Sequence, residues 1–583
     1  MLFRQGRVKG DQIIQESMAV QATAPEPLAP VAFHIPEAFE TTLANGLRVV
    51  IFEDSRLPLV SYRLAFFSGD ANDPTGRTGL TSAMASMMSE GTENYSSREL
   101  AEKVERLGAS LHVSSSDDFT VVSASGLTIY SSDVLDLMTE VVLRPTFPEE
   151  ELDLYRRNTL ENLKFQRSQP GFLANEQTAR LLFGDHPYAT VSPSPSAVEQ
   201  ITREELSSLH GERLIPNNAV FIAVGDVDRD VFLKELRGHF DDWEMGEVPV
   251  LTPAEPPSRT ERTVTIVDRP GSAQSNIVIS NLGVSRSHPD YFPLLVMNQV
   301  LGAGASSRIF MNLREEKGYT YGAYTRFEMK KLAGEFEATA EVRTPVTGDS
   351  LKEFFYELDR IRDEDVPEQE LADAKAYLTG VFPIRAETQE GLTSLIVGQQ
   401  LYGLPSDYLQ TYRDNVNAVT AEDVKRAART HVRPGETAIV IVGDAGEVLT
   451  QVRDYAAKIE VFDTDKNPRN LAEYETENTA APADLAGTWE LTLDFQGQAM
   501  PVTMELAQEG STVNGKLATM LGDGEITAGR VSGNKFSATA NTELQGQQLE
   551  LSINGKLVGD GIAGTISAPV IPDPLTFSGQ RKA

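Results

Sequence analysis

Seven histidines are the strongest metal-binding side chains in this 583-residue sequence, which has no cysteine: His34, His112, His186, His210, His239, His288 and His431. A zinc-binding pair on one helix needs two imidazoles a turn apart, at i and i+4. No two histidines have that spacing, so each reads as a surface or packing residue. The stretch "GLTSAMASMMSEGT" (79–92) reads as a helix, and Ser82, Ala85 and Ser86 fall on its neighbouring turns. A serine hydroxyl is a poor metal ligand, and alanine cannot act as a base. The glycine-rich "LGAGASS" (301–307) lacks a P-loop lysine and the GxGxxG frame, and it follows a helix, which argues against nucleotide binding. No Gly-x-Ser-x-Gly elbow offers a serine nucleophile.

The elements around these residues repeat. "ITREELSSLHGERLIPNNAVFIAVGD" (201–226) is echoed by "VTAEDVKRAARTHVRPGETAIVIVGD" (419–444). Each copy opens with a threonine and an acid three residues on, Thr202 with Glu205 and Thr420 with Asp423, the pattern of a capping box. A helix, a turn and a β-branched apolar run ending in Gly-Asp follow in both. Upstream of each copy come an alternating strand, an apolar helix, a charged helix and further strands. Two homologous α+β halves, 38–248 and 263–465, account for this order better than one continuous sheet.

Prolines in "VPVLTPAEPPSRTE" mark 249–262 as a linker, and the polar 466–484 is a second one. From Leu485 to the end, short alternating strands separated by Gly and Asn predict a small all-β barrel or sandwich over 485–583. Residues 1–37 include the Ala/Pro-rich "QATAPEPLAP" (21–30) and read as an extended leader. Their basic start has no apolar core, so no signal peptide is visible. No apolar run is long enough to span a bilayer. A formal net charge of -33 argues against a nucleic-acid partner. The same charge is compatible with simple solubility or with a preference for basic peptides. The lack of cysteine removes thiolate metal sites, disulfides and cysteine nucleophiles, and leaves the compartment open.

Several blocks, in order, resemble the pitrilysin/insulinase family of zinc peptidases. They are "LANGLRVVIFED" (43–54), "GRTGLTSAMASMMSEGT" (76–92), "SSRELAEKVERLGASLHVSSSDDFT" (96–120), "FPEEELDLYRRNTLENL" (147–163), "HPYATVSPSPSAVEQIT" (186–202) and "LGAGASSRIFMNLREEKGYTYGAYT" (301–325). The resemblance implies that the two halves form a half-clamshell, and that two half-clamshells enclose a peptide-binding chamber. Where the family's metal helix has histidine, glutamate and histidine, this sequence has Ser82, Ala85 and Ser86; a third metal position survives as Glu161. The resemblance thus implies a degenerate metal site, with no zinc in this chain and zinc in a partner subunit that keeps His-x-x-Glu-His.

The family's arginine and tyrosine, seven residues apart after the glycine-rich loop, are present as Arg314 and Tyr321. The resemblance makes them donors to a substrate carbonyl that complement a partner's zinc site. It makes Gly302, Gly304 and His112 substrate-binding positions, although His112 stands where the family usually has asparagine. The implied function is that of a non-catalytic subunit of a heterodimeric zinc endopeptidase. The alternative is a structural or peptide-binding clamshell with no proteolytic role. By analogy the location is periplasm or cell envelope, with cytoplasm as the alternative.

Overall fold

The computed structural model describes residue 35 and residues 37–248, 250–474, 482–495, 498–519, 522–544, 547–567 and 574–582. The chain forms two units, Met1–Pro36 and Glu37–Ala583. The second unit holds both halves and the C-terminal strands; the expected leader and His34 lie outside the described residues.

Two sheets repeat one topology. The first contains β1 (Phe39–Thr42), β2 (Arg48–Glu53), β3 (Leu59–Phe66), β4 (Ser110–Ser115), β5 (Thr120–Leu127) and β6 (Ala219–Gly225), in the order β1-β2-β6-β3-β5-β4. The second contains β7 (Thr263–Asp268), β8 (Gln274–Leu282), β9 (Thr320–Met329), β10 (Gly334–Arg343), β11 (Ala438–Gly443), β12 (Lys458–Phe462) and β13 (Pro468–Arg469), in the order β13-β12-β7-β11-β8-β10-β9. The shared five-strand pattern is β2-β6-β3-β5-β4 in one and β7-β11-β8-β10-β9 in the other. In both, the late strand of the repeat runs parallel to the opening strand, with Val49 opposite Phe221 and Ile439 opposite Val264. These late strands, "AVFIAVG" and "AIVIVG", are buried along their whole length, as a strand covered on both faces must be. Both capping boxes form: the Thr202 side chain accepts from the Glu205 amide and that of Thr420 from the Asp423 amide.

One face of each sheet is covered by helices of its own half. The other is covered by a helix lent by the opposite half. Pro170–Phe183 of the first half lies on β8 and β11 of the second. Leu173 and Ala174 pack there against Val267, Val278, Val440 and Val442, and Leu182 and Phe183 join Ala438 in an adjoining cluster. Gln389–Leu401 of the second half lies on β3 and β6 of the first. The Gln389 side-chain amide donates to the carbonyls of Leu59 (3.0 Å) and Val224 (2.7 Å). Gly225 makes room: at φ +128°, its added Cβ would fall 2.0 Å from that amide nitrogen. Each lent helix follows a 20-residue helix, Glu149–Ser168 or Glu368–Glu387, after one extended residue, Gln169 or Thr388. The chain thus turns at the same point in both halves.

The two-residue strand β13 and the helical residues 471–474 fall in the stretch expected to be a linker. They lie against the second half, where the Tyr474 hydroxyl donates to Asp268 at 2.7 Å. Eight further strands, from Gly487–Phe495 to Leu575–Arg581, close into an antiparallel barrel in sequence order. Alternate residues such as Trp489, Leu491 and Leu493 point inward with Met504, Leu517, Phe536 and Phe577. The interior is a packed core, and the Trp489 ring nitrogen finds its acceptor in the Leu485 carbonyl at 2.9 Å. The barrel is closed rather than a sandwich, which leaves none of its strands as a free edge.

Leu182 is fully buried where the two halves meet. Leu182→Ala should cost about 2–5 kcal/mol of stability in urea unfolding followed by circular dichroism. A loss below about 0.5 kcal/mol, the range of a surface substitution, would mean that the lent helix does not hold the halves together.

Candidate functional site

The helix Leu80–Met87 buries Leu80, Ala83, Met84 and Met87 in the first half's core. Its N-cap position is Gly79, at φ 88°, which has no side chain to cap with. Asp73 supplies the cap from the preceding loop: its carboxylate accepts from the amides of Gly79 (2.7 Å), Leu80 (3.0 Å) and Thr81 (3.0 Å). Burial pushes the Asp73 carboxyl up to about 6 despite these donors.

Of the three positions aligned with the metal motif, Ser82 and Ser86 lie on the polar face of this helix. The Ser82 hydroxyl donates to Asp70 at 2.6 Å, and the Ser115 hydroxyl to the other oxygen of Asp70 at 2.8 Å. Ser86 turns back to the Ser82 carbonyl at 2.8 Å, and Ala85 is buried. Glu161 is largely exposed and pairs with Lys164 at 2.7 Å. These residues do not fit a zinc ion. The two hydroxyls are turned to protein acceptors, no base stands between them, and Glu161 does not line the cavity beside Ser82.

That cavity, of about 310 Å3, is lined by Asp70, Ser82, Tyr155, Thr159, Asn162 and Gln166 among others. Residues 155, 159, 162 and 166 follow the i, i+4, i+7, i+11 spacing of one helix face. Asn162, rather than Glu161, is therefore the residue of its helix turned towards Ser82. The sequence reading missed Asp70 and Asn162. The helical period through Tyr155 identifies Asn162; nothing in the sequence distinguishes Asp70 from an ordinary loop acid.

In the second half, the helix Tyr291–Leu301 ends at Gly302. A Cβ there would lie 2.3 Å from the Thr325 hydroxyl, and the Gly302 carbonyl accepts from the Thr325 amide at 2.9 Å. Gly302 thus lets β9 approach the helix end. The Gly304 carbonyl accepts from the Ser307 amide at 3.0 Å. The chain then forms a short helix, Arg308–Phe310, that runs into a π-helical turn, Met311–Glu316. Arg308 anchors it with two bonds to Glu370, at 2.8 and 2.6 Å.

Arg314 projects from the π-helical turn. Its guanidinium lies 4.9 Å over the Phe310 ring and 3.6 Å from Glu315, and nearly half of its side chain is exposed. Tyr321, near the start of β9, is 91% exposed. That figure decides against its packing in the sheet. β9 pairs only with β10 and is the sheet's edge; β4, which carries the exposed His112, is the edge of the first sheet.

The β9–β10 turn, residues 330–333, reaches the first half beside the Ser82 cavity. Lys330 pairs with Asp117 at 2.7 Å, the Lys331 amide donates to Asp118 at 3.0 Å, and the Leu332 amide donates to the Tyr188 hydroxyl at 3.1 Å. Tyr188 in turn donates to Asp118. Behind this turn, Glu335 is buried beside Glu337 and Glu328; burial and those two charges raise its carboxyl above the usual range against the pull of Lys330 and Arg326.

The other histidines serve packing. His210 bonds the Val142 carbonyl at 2.8 Å, His186 accepts from the Tyr188 amide at 3.1 Å, and His239 meets Asp136 at 3.2 Å. Among the described residues, His288, Asp290 and His431 are the one group of three whose ligand atoms come within 4.8 Å of one another. Their hydrogen bonds oppose metal binding. His288 spends its Nδ1 lone pair on the Asp290 amide at 3.0 Å, and His431 Nε2 bonds the Asp290 carboxylate at 2.8 Å. Arg426 grips the same carboxylate at 2.7 and 3.0 Å.

Comparison with known proteins agrees with this architecture. A model described as insulinase (peptidase family M16) matches residues 48–189, and one described as peptidase M16 inactive domain matches residues 200–378. The chain belongs to peptidase family M16. An uncharacterized zinc protease of Streptomyces coelicolor is 23% identical over 394 residues, 67% of this chain and 86% of that protein. A Helicobacter pylori protein named as a non-peptidase homolog is 23% identical over 405 residues, 68% of this chain and 91% of that protein. The crystal structure of a peptidase M16 inactive domain from Pseudomonas fluorescens matches with a TM-score of 0.65 at 27% identity, covering 70% of this chain and 98% of that one.

Two measurements follow from this geometry. A Ser82→His, Ser86→His, Asn162→Glu variant should bind zinc at least tenfold more tightly than the double histidine variant that relies on Glu161, in competition with a chromophoric chelator; equal affinities would place Glu161, not Asn162, in register. The raised carboxyl of Glu335 means that the folded state holds a proton the unfolded chain has lost. Stability from this group is therefore full below the ordinary glutamate range and falls as pH rises towards neutrality. Glu335→Gln should flatten the decline in Tm between pH 5 and 7.5, and an unchanged slope would contradict the assignment.

Proposed function

We propose that this protein is the non-catalytic subunit of a two-subunit metalloendopeptidase. It binds peptide and lends Arg314 and Tyr321 to an active site whose zinc is held by a homologous partner with an intact His-x-x-Glu-His motif. The observation that carries the reading is the contrast between the two halves. The metal positions have turned to internal hydrogen bonds through Ser82, Ser86 and Asp70. The arginine, on the π-helical turn, and the tyrosine, on edge strand β9, are presented to solvent. A solvent-facing guanidinium and phenol keep donors free for a peptide carbonyl, and they stabilise it most as negative charge grows on its oxygen. Edge strands β4 and β9 offer unpaired backbone groups to an extended peptide. His112 would meet peptide on β4, and the loop through Gly302 and Gly304 would shape the wall beside Arg314.

A second reading, a peptide-binding or structural protein without any proteolytic role, draws support from the non-peptidase name of the Helicobacter pylori relative. The two readings separate by mutation in the assembled complex. Arg314→Ala or Tyr321→Phe, made in this chain and co-expressed with the His-x-x-Glu-His subunit, should lower kcat for peptide cleavage. The expected loss is on the order of tenfold to a thousandfold for each lost donor. Assembly, read by size-exclusion chromatography, should be unchanged. Cleavage at the wild-type rate by both assembled variants would favour the second reading.

A further inference from the structure

The cavity beside Ser82 has no part in the arginine–tyrosine chemistry, yet it is open and polar where a metal would otherwise sit. Its lining includes Asp70 and Asp117 and contains no lysine or arginine. Asp117 is matched by Lys330, 2.7 Å away, from the second half. Asp70 is different. It is half-buried, and burial is the largest influence on its carboxyl, raising it above the ordinary range. Its oxygens receive the Ser82 and Ser115 hydroxyls, helped by the Ser82 amide, and among the described residues no cation pairs with it. A shielded carboxylate in that position favours an opposite charge brought from outside.

The shape of the donor set narrows the charge. The acids here do not converge as metal ligands, because His288, Asp290 and His431 form the only such group of three among the described residues. A metal ion needs its ligands within about 2.0–2.6 Å of one centre, whereas a planar guanidinium spreads five donors around its edge. Asp70 and the polar side chains of Asn162 and Gln166, which can accept hydrogen bonds, line the cavity on different elements. A volume of about 310 Å3 is at the small end of ligand pockets, which start at roughly 300 Å3. It suits one side chain better than a whole small molecule. The cavity also lies beside the end of edge strand β4, whose Ser115 bonds Asp70.

We infer that this cavity binds one cationic side chain, best an arginine, of a peptide extended along β4. The inference rests on the peptide-binding reading above and adds the side-chain chemistry to it. The ionised Asp70 takes the cation, and the vacated metal position becomes a specificity pocket.

The test uses the full chain and two kinds of probe. The first is N-acetyl-arginine methylamide against its neutral citrulline counterpart, with Kd from ligand-observed NMR. The arginine amide should bind at least tenfold more tightly, and Asp70→Asn should abolish that preference. Ser82→Lys, which fills the cavity with a cation of the protein's own, should do the same while keeping Tm at or above the wild-type value. This second variant keeps the test decisive if Asp70→Asn misfolds. The second kind of probe is a pair of nine-residue peptides that differ only by arginine or citrulline at the centre, read by fluorescence anisotropy.

Discrimination between the amides with no binding of either peptide would uphold the pocket and sink the peptide-binding reading. Peptides that bind equally well would uphold that reading and overturn the pocket. Equal binding of the two amides would also overturn it, as would a preference that survives both substitutions. Asp70-dependent binding of calcium that displaces the arginine amide would make this an ion site, and the inference would again be wrong.

Discussion

Each half lends the other a helix, and the rest of the architecture depends on that exchange. A strand buried on both faces, like Ala219–Gly225 or Ala438–Gly443, needs a second layer that its own half does not provide. Pro170–Phe183 and Gln389–Leu401 supply it reciprocally, through apolar packing around Leu173 and Leu182 on one side and the Gln389 amide on the other. Apolar burial provides the driving force at about 25 cal/mol per Å2. The amide fixes the register, because it must meet the two carbonyls of Leu59 and Val224 together. Neither half can close its core alone. The pair therefore packs within one compact unit, with β4 and β9 as the edges of its two sheets.

That shared packing gives the polar contacts their meaning. The β9–β10 turn can tie Lys330 to Asp117 and Lys331 to Asp118 only because the exchange brings the second sheet against the first. The Ser82 cavity thus lies beside a contact between halves, and one of its acids is neutralised from across that contact. Tyr321 sits near the start of the same β9 whose far end makes the tie, and Arg314 on the π-helical turn just before it. The helix below the Ser82 cavity is held by packing, since Leu80, Ala83, Met84 and Met87 fill the core beneath it.

The sequence discloses the local features and hides the long-range ones. The capping boxes at Thr202 and Thr420, the buried late strands and the alternating pattern of the barrel are legible because each is set by neighbouring residues. The helix exchange is hidden: Leu173 and Leu182 have helical spacing, but no local pattern says which sheet they cover. Glu161 shows how small an error matters. It stands next to Asn162, yet one residue is about 100° of helix, enough to move a carboxylate from the cavity to a surface pair with Lys164. Gly302 reads as a residue for binding substrate, and the structure gives it a packing reason in its contact with Thr325. Residues 466–474 read as a polar linker because β13 is too short to carry a pattern.

Titration of the purified chain into its purified His-x-x-Glu-His homologue, with cleavage of a quenched fluorescent peptide as the readout, tests the central claim most directly. Each subunit alone should be nearly inactive, and the rate should rise to a plateau at one chain per partner. A partner that cleaves equally well without this chain would show that Arg314 and Tyr321 complete no active site, and the composite-site reading would fail.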